Sequence, residues 1–222
     1  MKRPHILLAV LAAAILALPA PAAQVDGSGH PATQQRAVHD IYGIAVSVPA
    51  EVVVTQGQKE GLTITADDNL LPHIETVVES GMLRIRPRDD ASLSARTPIR
   101  IEVTARSPQL LAVSGSARIA AKSLVLGRVE AKISGSGRIE VSGAAPDFTA
   151  HISGAGEVDA ARLASRDGHV AISGSGRIRL SAQRNVSASI AGSGDIGYYG
   201  DPKVEEHIAG SGRIHRLGDR AG

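Results

Sequence analysis

From about residue 110 onward, apolar and polar positions alternate along the chain, and short glycine-serine segments interrupt the alternation at nearly constant intervals. These segments read SGSA, SGSG, SGAG, SGSG, AGSG and AGSG, and we refer to them as hinges. Their first glycines, which are 18 to 20 residues apart, are Gly115, Gly135, Gly154, Gly174, Gly192 and Gly210. A repeat that varies by one or two residues around a fixed period is typical of a solenoid protein.

Each hinge lies between two apolar residues. The residues before the hinges are Val113, Ile133, Ile152, Ile172, Ile190 and Ile208, and those after them are Ile119, Ile139, Val158, Ile178, Ile196 and Ile214. Because apolar residues recur at every second position around the hinges, these segments are predicted to be strands with one buried face. The pattern therefore predicts an all-β, single-stranded parallel β-helix, a solenoid whose coils contain about 18–20 residues.

The hinge glycines are predicted to be structural, because glycine adopts the positive-φ and close-contact conformations that a sharp turn requires. The glycines with this predicted role are Gly115, Gly135, Gly137, Gly154, Gly156, Gly174, Gly176, Gly192, Gly194, Gly210 and Gly212. A dinucleotide site or P-loop would need a helix after the glycines, and no segment after residue 110 has helical periodicity. Calcium-binding nonapeptide repeats need an Asp in each turn, and the histidines lack the spacing of a zinc site. We therefore expect no cofactor and no metal ion.

Strand-like segments separated by turn signals also fill the chain before residue 110. One short helical turn is predicted from Leu70 to His73. Since no linker separates this half from the repeats, we expect one continuous β-helix domain over residues 38–216. A polar, flexible leader over residues 24–37 is expected to precede this domain, and a short tail over residues 217–222 is expected to follow it.

Residues 1–23 have the pattern of a secretory signal peptide. Lys2 and Arg3 precede an uncharged apolar run, and Ala20-Pro21-Ala22 supplies an A-x-A cleavage motif, so cleavage is expected after Ala22 or Ala23. The apolar run is too short to span a bilayer, and we expect no transmembrane segment in the mature chain. The sequence therefore predicts export, to the periplasm, to the cell surface or into the medium.

The composition narrows the possible functions. The chain has 24 Lys and Arg residues, two of which leave with the signal peptide, so 22 basic residues accompany 22 acidic ones after cleavage. This balance, together with export, argues against nucleic acid as a partner. The chain contains no cysteine, so its stability must come from packing and backbone hydrogen bonds rather than from disulfides.

The order of motifs along the chain resembles a known family. The resemblance is carried by TQGQKEGLTITADDNLLPHIETVVESGMLRIRP, then by IRIEVTARSPQLLAVSGSARI, and then by the recurring SGSGRI. Over roughly residues 38–216 these segments resemble the head GIN domain family of putative auto-transporter adhesins. The resemblance implies a right-handed parallel β-helix in a bacterial envelope or secreted protein, and it implies little about chemistry.

A charged residue follows the hinge in every coil. These residues are Arg118, Arg138, Glu157, Arg177, Asp195 and Arg213. Stacking of the coils would place them in one exposed column whose signs largely alternate. Such a column could be a solvated ladder of salt bridges, which we favour, or a docking strip for an anionic glycan or another chain.

Three carboxylates form the candidate chemical site. Glu140 and Asp159 hold equivalent positions in adjacent coils, and Glu157 lies nearby, so the three could act as an acid/base pair on a polysaccharide. Arg138 and Arg177 flank these carboxylates, and an ion-pair patch explains the same residues without catalysis. We therefore predict that the chain is not an enzyme, and the alternative is a polysaccharide-binding or polysaccharide-processing role for this patch.

Tyr198 and Tyr199, the adjacent aromatic pair, lie in a predicted loop. Exposed tyrosines could contact a sugar ring or a protein partner, and they could equally cap the core at the last coils. Together these features predict an exported, non-enzymatic scaffold for adhesion or for protein or glycan interaction in the bacterial cell envelope. The expected partner is a cell-envelope glycan or a surface protein, and the open ends of a β-helix are compatible with a homo-oligomer.

Overall fold

Hydrogen bonds between successive coils organise the chain. The computed structural model describes residues 24–219, which contain nineteen strands and two short 3-10 helices, Leu71–His73 and Arg88–Asp90. The strands are β1 (Gln24–Asp26), β2 (Pro31–Arg36), β3 (Gly43–Val46), β4 (Ala50–Gln56), β5 (Gly61–Asp67), β6 (Ile74–Glu79), β7 (Met82–Pro87), β8 (Ser92–Ser94), β9 (Ile99–Ala105), β10 (Leu110–Gly115), β11 (Arg118–Val125), β12 (Arg128–Gly135), β13 (Arg138–Ala144), β14 (Asp147–Gly154), β15 (Glu157–Gly174), β16 (Arg177–Gly192), β17 (Asp195–Tyr199), β18 (Lys203–Gly210) and β19 (Arg213–Gly218). Most of them pair in parallel, and together they form a β-solenoid of about five turns. The predicted signal peptide and the last three residues of the predicted tail lie outside the described residues.

The coils stack into two long sheet faces that meet at the hinges. Face A contains, in spatial order, β7, β3, β10, β12, β14, the second parts of β15 and β16, and β18. Face B contains β9, β4, β11, β13, the first parts of β15 and β16, β17 and β19. Because neighbouring strands are parallel and keep their register next to the hinges, equivalent residues of successive coils lie side by side.

Apolar residues stack into one column on each side of the hinges, as the sequence predicts. The column on face A consists of Ile85, Val46, Val113, Ile133, Ile152, Ile172, Ile190 and Ile208. The column on face B consists of Ile101, Val52, Ile119, Ile139, Val158, Ile178, Ile196 and Ile214. Except for the last member of each column, these side chains are at most 3% exposed. Since full burial of such a side chain contributes about 2 kcal/mol, the two columns supply much of the core's stability.

The N-terminal half does not follow chain order in space. The coil of β3 and β4 lies between the layer of β7 and β9 and the layer of β10 and β11. Beyond β7 and β9 the parallel stack ends, because β6 lies antiparallel to β7 and β5 lies antiparallel to β9. The predicted helical turn is present at Leu71–His73, where it joins β5 to β6, and Leu70 before it is fully buried.

Residues 24–37 form two strands instead of the flexible leader that their polar composition predicts. β1 pairs with β8, and β2 lies antiparallel to β5. The Arg36 guanidinium donates hydrogen bonds to the carbonyl oxygens of Leu71 and Ile74, at 2.8 and 2.6 Å. Backbone pairing and hydrogen bonds to distant segments hold this polar stretch in place. Neither can be inferred from the amino-acid composition of the stretch.

Asp67 also holds the N-terminal segment in place, through hydrogen bonds. Its buried carboxylate accepts hydrogen bonds from the backbone N–H groups of Gly29, Arg96 and Thr97 and from the Thr97 hydroxyl. Burial acts to raise the pKa of Asp67, but these hydrogen bonds outweigh burial and hold the pKa below its usual value. An ionised carboxylate therefore joins three segments of the N-terminal half.

Each hinge after the first stacks directly on the hinge of the preceding coil. In one example the N–H of Ser175 donates to the carbonyl oxygen of Gly154 at 2.9 Å, and the N–H of Arg177 donates to that of Gly156 at 3.0 Å. Gly174 has a φ of +127°, and a Cβ on it would lie 2.4 Å from the Gly154 carbonyl oxygen. Both the backbone conformation and the contact with the coil below therefore require glycine at this position.

Asp167 occupies the corner between the two parts of β15. Its side chain is 10% exposed and accepts hydrogen bonds from Nε and Nη2 of Arg184, at 3.0 and 2.6 Å, and from Nδ2 of Asn185, at 2.6 Å. The hydrogen bonds from Arg184 and Asn185 lower the pKa of Asp167 to about 2. The ionised form of Asp167 thus ties one coil to the next.

Replacement of Gly174 by Ala tests the stacking of the hinges. We expect G174A to lower the free energy of unfolding in urea by roughly 2–4 kcal/mol, because strain at positive φ adds to the clash with Gly154. The matched control is G115A, since Gly115 also has positive φ but a Cβ there would meet no atom within 4 Å. G115A should cost roughly 1 kcal/mol, and equal costs for the two variants would contradict the stacking contact.

The low pKa of Asp167 predicts how the contribution of this residue to folding stability changes with pH. A carboxyl whose pKa is lower in the folded than in the unfolded chain stabilises the fold at any pH above its unfolded-state pKa. That stabilisation disappears as the pH falls through the folded-state pKa, which is about 2 for Asp167. The substitution D167N should therefore be destabilising in urea at neutral pH and nearly neutral at pH 2. Asp201→Asn, at an exposed position, serves as the control. If the difference in stability between wild type and D167N stays constant from neutral pH down to pH 2, the low pKa of Asp167 is refuted.

Candidate functional site

The outer surface of face B carries the charged column that the sequence predicts. The column also includes two residues of the N-terminal half, and its members in spatial order are Arg100, Glu51, Arg118, Arg138, Glu157, Arg177, Asp195 and Arg213. The residue directly after the hinge begins the next strand and precedes a core-facing apolar residue, so the alternation along that strand makes it face outward in every coil. We call this set the charged ladder.

Arginines neutralise two of the three predicted carboxylates from both sides. Arg138 forms an ion pair with Glu157, and its other nitrogen lies 3.9 Å from Asp159. Arg179 lies 2.7 Å from Glu157 and 2.9 Å from Asp159. Four charged side chains from three adjacent coils thus form one ion-pair network, which matches the ion-pair interpretation of the sequence.

Glu140 is the third predicted carboxylate. It lies beside Asp159 in the paired strands β13 and β15, as its position in the repeat predicts. Glu140 forms an ion pair with Arg162, a residue that the sequence analysis did not single out. Arg162 follows the register shift in β15, and repeat spacing does not place residues beyond such a shift.

From β13 to β16, the guanidinium groups on face B are more exposed than the carboxylates with which they pair. The side chains of Glu157 and Asp159 are 23% and 22% exposed, whereas that of Arg162 is 60% exposed. Arg118 and Arg177 are also exposed, and neither has a carboxylate within 4 Å in the described part of the chain. Within the repeats, the arginines of the charged ladder therefore extend beyond its carboxylates, although the chain as a whole has a formal net charge of only +2.

A groove of about 480 Å³ crosses face B where the N-terminal half meets the repeats. Its floor contains Val53, which is 47% exposed, and Ala120. Arg118 and Arg138 line it, together with the carboxylates of Glu51 and Glu140. We call it the face-B groove, and it combines an apolar floor with two arginines and two glutamates. The sequence analysis placed Arg138 and Glu140 here but missed Val53, whose outward position depends on the register between β4 and β11.

Face A carries a second groove, of about 680 Å³, across the coils from β10 to β18. Small residues at the first position of each hinge line it, and these are Ser114, Ser134, Ser153, Ser173, Ala191 and Ala209. Lys132 and His151 also line it, although Lys132 is paired with Glu130 at 2.6 Å. Sequence reasoning missed this surface, and the recurrence of a small residue at that hinge position is the signal that could have indicated it.

Tyr198 and Tyr199 lie in strand β17 rather than in the predicted loop. Tyr198 follows Leu180 in a core-facing position, is half-buried and packs against the core. Tyr199 is also half-buried. The position of Tyr198 agrees with the capping interpretation and leaves little of its ring surface free for a partner.

Between residues 24 and 219, no group of three or more His, Cys, Asp or Glu side chains is arranged to hold a metal ion. The same part of the chain has no helix that is both long enough and apolar enough to cross a membrane.

Solved structures of similar fold cover most of this chain. A putative adhesin from Bacteroides fragilis is 19% identical, has a TM-score of 0.71, and the match covers 87% of this chain and 100% of that one. A putative lipid binding protein from Parabacteroides distasonis is 25% identical, with a TM-score of 0.61 and coverage of 87% and 99%. No protein of curated function matches the chain. The family described as "Putative auto-transporter adhesin, head GIN domain" matches residues 42–202, which is most of the solenoid, and the chain belongs to this family.

Proposed function

We propose that the chain is an exported, non-enzymatic adhesion module of the bacterial cell envelope, and that it binds an acidic glycan along face B. Membership of an adhesin family and the predicted signal peptide support the general role. The observation that carries the proposal is the face-B groove, where an apolar floor lies beside arginines that have spare hydrogen-bonding capacity.

The chemistry of the groove suits an acidic sugar. The apolar C–H face of a pyranose ring can pack on Val53 and Ala120, and a guanidinium fork binds a carboxylate or phosphate through two parallel hydrogen bonds. Arg118 has no ion-pair partner within 4 Å among the described side chains, so binding a glycan there breaks no existing pair.

The repeat extends this chemistry beyond one sugar. Successive coils place equivalent side chains roughly 4.8 Å apart, so the charged ladder offers an extended polymer a series of arginines, with carboxylates between most of them. Each contact between exposed charges is weak and screened by salt, but contacts along one polymer act together. Adhesion through many weak contacts requires a long, straight surface, and a solenoid provides one.

The paired carboxylates favour binding over catalysis. A glycoside hydrolase needs one carboxyl to donate a proton and another to act as a base or nucleophile at the sugar. Glu157, Asp159 and Glu140 each form an ion pair with an arginine, which occupies the carboxylate oxygens. This arrangement supports a structural role for the carboxylates, which hold the arginines in position.

The proposal predicts charge-dependent binding through named arginines. The chain lacking residues 1–23 should bind immobilised polygalacturonate in low salt and should not bind neutral dextran. The double variant R118Q/R177Q should bind about tenfold more weakly, because it removes two cationic contacts. Affinity can be measured by surface plasmon resonance, and raising the salt concentration should weaken wild-type binding more than variant binding.

Two variants make the result specific. R106Q/R128Q removes the same number of charges from exposed positions outside the charged ladder and should leave affinity unchanged. S153Y narrows the groove on face A and should also have no effect. Equal weakening by R106Q/R128Q, loss of binding in S153Y alone, or equal binding to dextran would each reject face B as the docking surface.

A further inference from the structure

The two ends of the solenoid are built differently. At the N-terminal end, antiparallel strands and the fully buried Leu70 close the core. At the other end of the described chain, β18 and β19 form the last coil, and each has a neighbouring strand on one side only. Ile208, the last member of the apolar column on face A, is 41% exposed there, whereas Ile190 in the coil before it is 1% exposed.

The core-facing positions change character in this last coil. A second core-facing column on face A consists of Leu83, Ile44, Leu111, Ala131, Ala150, Val170, Ala188 and finally Glu206. The corresponding column on face B ends with Ala160, Leu180, Tyr198 and finally Arg216. In both columns apolar or aromatic residues fill the earlier coils, and a charged residue occupies the last one.

Glu206 and Arg216 can hold these positions only while nothing covers them. Both side chains are exposed, and Arg216 is fixed over the end of the core by hydrogen bonds from Nε to the Gly200 carbonyl oxygen and from Nη2 to Asp219. Another strand layer on this coil would remove both charges from water beside an apolar core, which is strongly unfavourable for an unpaired charge.

We infer that Glu206 and Arg216 form a polar cap that prevents the last coil from joining a second copy of this chain. The open edges of β18 and β19 carry unpaired backbone groups, and such edges pair readily with other strands. Inward-pointing charges are one means of blocking that pairing. Because antiparallel strands close the N-terminal end, the contact that the cap prevents is between two C-terminal ends, and it would give a closed dimer.

Removal of both charges tests this inference. Wild type should be a monomer in multi-angle light scattering, whereas E206A/R216L should be a dimer at micromolar concentration, because Val204, Ile208 and Ile214 would then form an uninterrupted apolar end. The control is E205A/R213L, which removes the same charges from outward-facing positions of the same two strands and should remain monomeric. Circular dichroism checks that each variant keeps its β content.

Every result of this experiment either supports or overturns the inference. A monomeric E206A/R216L with native β content, a dimeric control, or a wild type that already dimerises through this end would overturn the inference. If E206A/R216L fails to fold, E206Q, which keeps the shape and removes the charge, carries the test through a measurable shift towards dimer. The experiment is independent of glycan binding, since it contains no glycan and E206A/R216L changes neither the face-B groove nor the charged ladder.

Discussion

The close approach of each hinge to the hinge below it is the constraint on which the rest of the structure depends. Gly154, Gly174 and Gly192 allow the backbone of one coil to contact the carbonyl oxygen of the previous one, at distances that leave no room for a Cβ. This contact sets the spacing of the coils and brings every apolar column into register. A core with one Phe and no Trp becomes possible because small and branched side chains stack at a fixed repeat.

The same register produces the surface chemistry. Since the residue directly after each hinge faces outward, Arg138, Glu157 and Arg177 must lie beside one another on face B. The carboxylates hold the arginines close to the sheet, and the longer arginine side chains form the outer layer. Substitutions in this layer do not disturb the core, so the fold can present different charges on an unchanged frame.

The repeats could be predicted from the sequence because each coil makes the same local choices, and the hinges, the apolar columns and the pairing of Glu140 with Asp159 follow from spacing alone. The spatial arrangement of the N-terminal half could not be predicted, because long-range pairing sets the position of β3 and β4 between later strands. The strand ending at Arg36 was missed for the same reason, since its partners lie in distant segments. The face-B groove needed the register between β4 and β11, which no repeat motif encodes.

Residue-resolved hydrogen exchange of the hinge amides tests the stacking of coils most directly. The N–H groups of Ser136, Ala155, Ser175 and Ser193 each donate to the carbonyl oxygen of a glycine in the preceding coil, at 2.9 Å. These amides lie in turns near the surface, where isolated turns exchange rapidly. Stacked hinges predict that they exchange as slowly as the amides of the neighbouring strands. Exchange at the rate of an unstructured chain would contradict the stacking and, with it, the solenoid register on which the surface depends.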